Sequence, residues 1–512
     1  MAGGLYGAGW ALSFPDQLLL TVLPLLALAL LVIWTLPTTA NPPVRALEVT
    51  FFAFFVGYII WPNYLAFSLP GLPWITLGRI IAAPLMLLLL ICMSVSPDFR
   101  RTLKETLAAT PWIAIPFAVF VALQLISLGL SRDIVSSSQK FVVAQLYWTA
   151  IFITGIYVFR KPGRITLWCV LLCAMLIPLG VSGLIEYSRG QVPWANHIPS
   201  FLAIEDESVA RILGGKSRLG DEEQRVQSTF TTSLTYAEYM ALAVPFLLHF
   251  MMGPFKLGAR IASAGLLVFT FYMILLTESR LGAVGFFMSG LLYVFFWAWR
   301  LWIRDRQTLI APAVVVGYPV ALAMFIFASF HFGRLRTMIW GGGQHRSSND
   351  ARVEQYNMGM DILTRNPFGH GVGQGASTLN FHNAAGVVTI DTYYMSIALE
   401  YGVLGFFIYY GMFLIAIYKG ATVSLRDRGQ DLTMSYAVPL SIALSVFVVI
   451  KSILSLEENH PVVFMILAML VVVLHRATNP GEEGVMGRFA KAKAQEGTSR
   501  YRRPLFGSFR SQ

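Results

Sequence analysis

Between residues 17 and 475 the chain returns repeatedly to apolar runs of about 17–25 residues, each long enough to cross roughly 30 Å of hydrocarbon as a helix. No other feature constrains the fold as tightly. A backbone in lipid has no water to satisfy its N–H and C=O groups, so such runs must close their hydrogen bonds internally as helices. Composition points the same way: 56% of the 512 residues are hydrophobic and only 13% are charged, more apolar surface than a single soluble core can hide. The fold class expected is therefore an all-α polytopic membrane protein with about thirteen transmembrane helices. The candidate spans lie near 17–36, 46–62, 78–96, 111–130, 140–159, 165–187, 234–253, 260–277, 281–299, 308–330, 391–418, 433–455 and 461–475.

The net charge of +11 is not spread evenly. Basic residues gather in short clusters between spans and in the tail: "DFRRTLK" (98–104), "RKPGR" (160–164), "FKLGAR" (255–260), "RLWIRDR" (300–306) and "YKGATVSLRDR" (418–428). Counting spans puts all of them on one side, which the positive-inside rule makes cytoplasmic. This distribution argues against nucleic acid as a partner and places the C-terminus inside and the N-terminus outside. The first sixteen residues lack the basic stretch of a cleaved secretory signal, so the first run is expected to be a retained helix. Residues 1–475 are expected to form one transmembrane domain, followed by a basic, disordered cytoplasmic tail at 476–512. Cys92, Cys169 and Cys173 all fall within apolar runs, which leaves the loops without a disulfide framework or a thiolate metal site.

Two long loops, about 188–233 and 331–390, emerge on the opposite, outer face, where a chain sparing of polar groups places charge, glycine and aromatics. Loops of this length usually carry function. The second contains a helical pattern in "SSNDARVEQYNMGMDILTRNP", with Ser348, Asn349 or Asp350 as N-cap and Pro367 as stop. The following "FGHGVGQG" permits a tight backbone path, either around a phosphate or as a turn that closes the loop onto the bundle.

Arginines concentrate here: Arg211, Arg218, Arg225, Arg280, Arg334, Arg336, Arg346, Arg352 and Arg365. Arg280 sits in the short turn "TESR" between two apolar runs, where it needs a counter-charge or interfacial water. Arg79 shares that ambiguity. Arg352, expected on the first turn of the loop helix, opposes the helix dipole and so points to an external anion. Guanidinium groups bind phosphate oxygens bidentately, and several converging at the surface suit a lipid-linked pyrophosphate. Asp391, at the outer start of a span, is placed to accept a proton from a hydroxyl or to cap its helix. Glu400 lies about 13 Å deeper by helical rise and needs a partner, for which Lys451 is a candidate. His382 and His370 are the histidines placed to meet an outer-face substrate, and neither has metal-ligand spacing.

Four stretches, "RVQSTFTTSLTYAEYMALAVP" (225–245), "TESRLGA" (277–283), "RVEQYNMGMDILTRNPFGHGVGQG" (352–375) and "DTYYMSIALEYGVLG" (391–405), together resemble the bacterial O-antigen ligase and Wzy-type polysaccharide polymerase superfamily. The resemblance implies a GT-C-like helical fold in the bacterial inner membrane with its active site facing the periplasm. It implies an inverting, metal-independent and cofactor-free glycosyltransferase. The donor would be an undecaprenyl-pyrophosphate-linked oligosaccharide and the acceptor a glycan hydroxyl, with a flippase and a chain-length regulator as further partners the resemblance allows. It assigns Arg225, Arg280 and Arg352 to the pyrophosphate, with Arg79 and Lys451 as further substrate-binding candidates. Asp391, His382 and Glu400 are the catalytic candidates. Where the family's second-loop motif reads His-Asn, then Tyr-Leu, then Glu, this chain has Asp391 and Thr392, Tyr394 and Met395, then Glu400. A carboxylate in the histidine's place favours an exopolysaccharide-type polymerase over a ligase that delivers O-antigen to lipid A core. His382 is the reserve base if the loop folds back. A transporter of lipid-linked glycans is the alternative from another class; it predicts discontinuous helices in repeated halves.

Overall fold

The computed structural model describes residues 28–39, 41–68, 74–204, 206–214, 225–331, 333, 346–383, 386–426 and 431–479. Among them the chain is helical almost throughout; one antiparallel pair, Ala66–Phe67 with Ile75–Thr76, is the exception. Among the described residues ten helices are long and apolar enough to cross a membrane. The helices that position the site begin with α1 (Val44–Ile60), α2 (Leu77–Val95), α3 (Ile134–Phe159, with a π turn at Gln145–Thr149) and α4 (Arg164–Arg189). They are followed by α5 (Ser233–Met252), α6 (Leu257–Leu276), α7 (Arg280–Arg304), the loop helix α8 (Arg346–Arg365), α9 (Tyr393–Arg426), α10 (Leu432–Lys451) and α11 (His460–Thr478).

The expected thirteen spans are not all reached within the described residues. The 17-residue α1 falls short of the length of the other ten, Ile310–His331 is a helix with a shorter apolar stretch, and most of the 17–36 run lies outside the described residues. Nor do the two long loops lack order: the first holds a short helix, Glu207–Leu213, and the second holds α8 and Gly375–Leu379.

Two helices form the hub. The most apolar stretch of α5 is 89% buried and that of α11 83%, whereas that of α6 is only 17% buried and faces outward. Apolar residues surround α5 and α11 on all sides, the pattern of a helix enclosed by other helices rather than by lipid. A fully buried ion pair ties the hub to α10: Lys451 meets Glu238 at 2.8 Å, and Asn459 donates to the same carboxylate at 3.0 Å. The far end of the bundle carries the basic clusters, anchored by Lys161 and Arg164 on Glu48 and by Arg476 on Asp431.

Helix α9 is broken. Gly402 adopts φ 73°, a left-handed conformation that interrupts the span and exposes the carbonyls of Leu399 and Glu400 and the N–H of Val403. Inside a bundle such groups need partners. "FGHGVGQG" and the Pro367 before it supply them: His370 N–H donates to Leu399 O at 2.9 Å, Gly371 N–H to Glu400 O at 3.0 Å, and Val403 N–H to Pro367 O at 3.0 Å. The contact is backbone against backbone, so it needs glycine; a Cβ on Gly369 would lie 2.6 Å from both Glu400 O and Gly402 N. Of the two paths open to this motif, the structure takes the turn that closes the loop onto the bundle. Ser137 of α3 fastens the same loop through Val372 O at 2.7 Å.

Candidate active site at the loop-bearing end

The site is built on segments that lead directly into the hub. The stretch 225–232 runs into α5 through a turn closed by Phe230 N–H on Gln227 O at 3.1 Å, and its neighbours pin it. Glu186, buried near the end of α4, accepts from Gln227 N–H at 3.1 Å and Ser228 N–H at 2.7 Å; Thr229 donates to Ile59 O. Ser228 is left-handed at φ 54°, a strained geometry for serine that this carboxylate over-determines. The result fixes Arg225 at the mouth of the bundle, 3.4 Å from Glu278. Glu278 is itself left-handed, φ 51°, in the turn between α6 and α7, where Ser279 caps α7 by accepting from Gly282 N–H.

Arg280, the first residue of α7, lies close enough to Arg352 and Arg225 to feel both charges. Arg352 in turn stands 3.7 Å from Asp391. The structure thus brings together the three guanidinium groups on which the pyrophosphate expectation rests, with Glu278 and Asp391 among them. These side chains are partly open: Arg352 is 29% exposed and Asp391 33%.

Two local expectations are corrected. Helix α8 begins at Arg346, so Ser348, Asn349 and Asp350 lie inside it and Arg352 is on its second turn; the dipole argument for Arg352 falls away, and Asp391 takes its place as the reason for the charge. Asp391 does not cap α9 either. Thr392 does, accepting from Met395 N–H at 3.3 Å, while Asp391 N–H donates to Gln355 of α8 at 2.8 Å. The Asp391 carboxylate is left facing the arginines.

Other candidates stand apart. Lys451 is sealed against Glu238 and does not reach Glu400. The surroundings of Glu400 are instead Ser396, which donates at 3.1 Å, the Gly373 N–H and the charge of Lys140. Its carboxylate therefore sits at the break in α9, beneath the docked loop. His382 is exposed in a small hairpin bridged to Val388, with Nδ1 turned to Asn380 O. His370 is committed to the docked loop. Arg365 pairs with Asp361 at the surface; Arg218, Arg334 and Arg336 lie outside the described residues.

Arg79 lines a separate cavity of about 200 Å³ with Tyr58, Trp74, Tyr147, Asn63, Thr231, Glu457 and Glu458. It donates to Trp74 O and to the Tyr147 hydroxyl. Glu458 accepts from Asn63 at 3.1 Å and from the Thr231 hydroxyl at 2.7 Å; burial pushes its carboxyl above the ordinary value although these hydrogen bonds oppose the rise. Glu457 meets Lys140 at 3.0 Å. Sequence reasoning missed both glutamates. The "EENH" that begins the hub helix α11 was their only signal, two adjacent carboxylates between two apolar runs.

Fold and site together define the class: a multi-pass, all-α membrane protein with a cluster of arginines and carboxylates at the end of the bundle opposite its basic anchors. Residues 265–410, somewhat more than a quarter of the chain, match the sequence model of the O-antigen ligase family. The matched segment includes Arg280, Arg352, His382, Asp391 and Glu400 and begins after Arg79 and Arg225. No curated protein matches the chain.

Proposed function

We propose that the chain is a membrane glycosyltransferase that polymerises oligosaccharide repeat units carried on undecaprenyl pyrophosphate, working at the outer face of a bacterial inner membrane. One observation carries the reading: Arg225, Arg280 and Arg352, drawn from three separate stretches of chain, lie close enough for Arg280 to feel the other two charges, with Glu278 on Arg225 and Asp391 on Arg352. Three cations facing two carboxylates leave positive charge for a diphosphate, and guanidinium forks match its oxygens.

In this scheme the diphosphate displaces the internal partners, and Arg352 turns its guanidinium from the Asp391 ion pair to hydrogen-bond phosphate. The freed Asp391 carboxylate accepts the proton of the acceptor hydroxyl as that oxygen attacks the anomeric carbon. The carbon–oxygen bond to phosphate breaks in the same displacement, its electron pair leaving on the diphosphate that the arginines hold. Inversion follows from a single displacement, with no covalent nucleophile. Arginine charge neutralises the leaving group, the part that divalent metals play in many nucleotide-sugar enzymes. Glu400, packed under the loop, holds the break in α9 in place rather than touching substrate.

The transporter reading draws on the break in α9, since discontinuous helices are a hallmark of transporters. Here the broken ends are taken up by the chain's own loop backbone, which leaves them no ion or substrate to bind. Polymerase is preferred to ligase because Asp391 stands where the family motif has histidine. The test is product analysis in cells lacking the chain. Loss of long polymer with single repeat units retained is expected; lipopolysaccharide that lacks any O-chain would make the protein a ligase, and unchanged glycans would overturn the reading.

A further inference from the structure

The cavity around Arg79 differs in chemistry from the arginine cluster. Its charged lining is Arg79, Glu457 and Glu458, and Lys140 already neutralises Glu457. That balance leaves no excess positive charge for a diphosphate, so Arg79 belongs to a different ligand from Arg280. The remaining lining is aromatic and neutral polar: Trp74 and Tyr58 offer ring surface, and Asn63 both donates and accepts. Carboxylates that accept from hydroxyls, an amide, and an aromatic face for apolar C–H groups are the elements that recognise a pyranose ring.

Size agrees. About 200 Å³ is room for one sugar ring. Position agrees as well. Thr231 in the cavity wall and Arg225 in the cluster are six residues apart on one pinned segment, so they are separated by at most about 21 Å. A single glycan chain can therefore touch both. The cavity is also held rigid, because Thr231 bonds Glu458 and Glu458 stands two residues before the start of the hub helix α11.

We infer that the cavity lined by Trp74, Tyr58, Asn63, Arg79, Glu457 and Glu458 is a monosaccharide subsite that binds one neutral pyranose unit of the glycan, separate from the diphosphate site. This inference rests on the glycan-transfer reading above and adds to it where sugar selectivity resides. Arg79 is there to hold Trp74 and Tyr147 in place and to donate to a ring hydroxyl.

The experiment uses the full chain in lipid nanodiscs. Methyl glycosides of glucose, galactose and N-acetylglucosamine are tested by saturation-transfer NMR, and inorganic pyrophosphate is followed by phosphorus line broadening in the same samples. At least one methyl glycoside is expected to bind. Trp74→Ala and Glu458→Gln are expected to weaken it at least tenfold while leaving pyrophosphate broadening intact, which also shows that the variants are folded; Trp74→Phe should recover part of the loss. Arg280→Ala should show the converse. No glycoside signal from the wild type, or a signal that persists in both cavity variants, would overturn the subsite. So would loss of pyrophosphate broadening in Trp74→Ala and Glu458→Gln with sugar binding retained. If the glycosides bind as expected but pyrophosphate does not broaden with the wild type, the diphosphate reading fails and the subsite stands.

Discussion

Asp391 shows how one substitution at a motif position redirects a site. Because Thr392 caps the helix, the carboxylate beside it is free of that duty and faces Arg352 at 3.7 Å. Asp391→Asn keeps the shape and removes the base, so turnover is expected to fall by about 10²–10⁴; assay of polymer formed by membranes containing the variant checks this, and normal turnover would leave Asp391 as no more than the partner of Arg352. Arg280→Ala and Arg352→Ala are each expected to abolish product at unchanged protein level, and Arg280→Lys should also fail because an ammonium cannot grip phosphate with two parallel bonds. Immunoblot and glycan gel on the same cells decide it. Arg280 was legible in the sequence from its setting, a charge forced into a turn between apolar runs; Arg352 was singled out by a dipole argument the structure removes, and Arg225 only by the family resemblance. The cap was not, since Asp391 and Thr392 are both good N-cap residues and only the geometry chooses. Lys451 was misjudged for a related reason: depth along a span is readable, whereas the side from which a partner approaches depends on how the helices pack.

At the scale of elements, the break in α9 and the loop that fills it act as one unit. A Cβ on Gly402 would run into Pro367 O and the Phe368 backbone, in a conformation already unfavourable for an L side chain. Gly402→Ala is therefore expected to lower stability by about 2 kcal/mol or more, read as an earlier thermal transition in detergent, with activity lost because α8 and Asp391 lose their seat. A variant as stable as the wild type would mean that the loop does not depend on this contact. The glycines at 369, 371 and 373 were visible as a backbone motif, but their target was not: a glycine-rich turn reads the same whether it wraps a phosphate or another backbone. The signal that would have decided it was Gly402 itself, a glycine in a span two residues after a buried glutamate.

For the molecule as a whole, the hub of α5 and α11 carries both the pinned segment with Arg225 and the carboxylates of the sugar-sized cavity, so the architecture turns stability into site geometry. The Glu238–Lys451 pair locks this hub to α10. Lys451→Met alone strands a buried carboxylate and is expected to cost about 3–5 kcal/mol, while the double variant Glu238→Leu with Lys451→Met should regain most of it. Thermal unfolding of the three proteins measures the difference; a single variant as stable as wild type would show the pair to be dispensable. The all-α, multi-pass character was legible throughout, because apolar length is a direct demand of the lipid. The count was less so; the helix of the second loop was legible from its pattern and its proline stop, whereas the short helix Glu207–Leu213 in the first loop was not, since so short a helix owes its existence to docking rather than to its own pattern. The central claim, that three arginines grip a lipid diphosphate, is met most directly by binding of radiolabelled undecaprenyl pyrophosphate to the protein in nanodiscs. Replacing Arg225, Arg280 and Arg352 together by alanine should weaken binding at least about a hundredfold, since each charged hydrogen bond contributes about 1.5–3 kcal/mol, whereas Arg365→Ala, an exposed arginine paired with Asp361, should leave it unchanged. Equal affinity in the triple variant and the wild type would contradict the account.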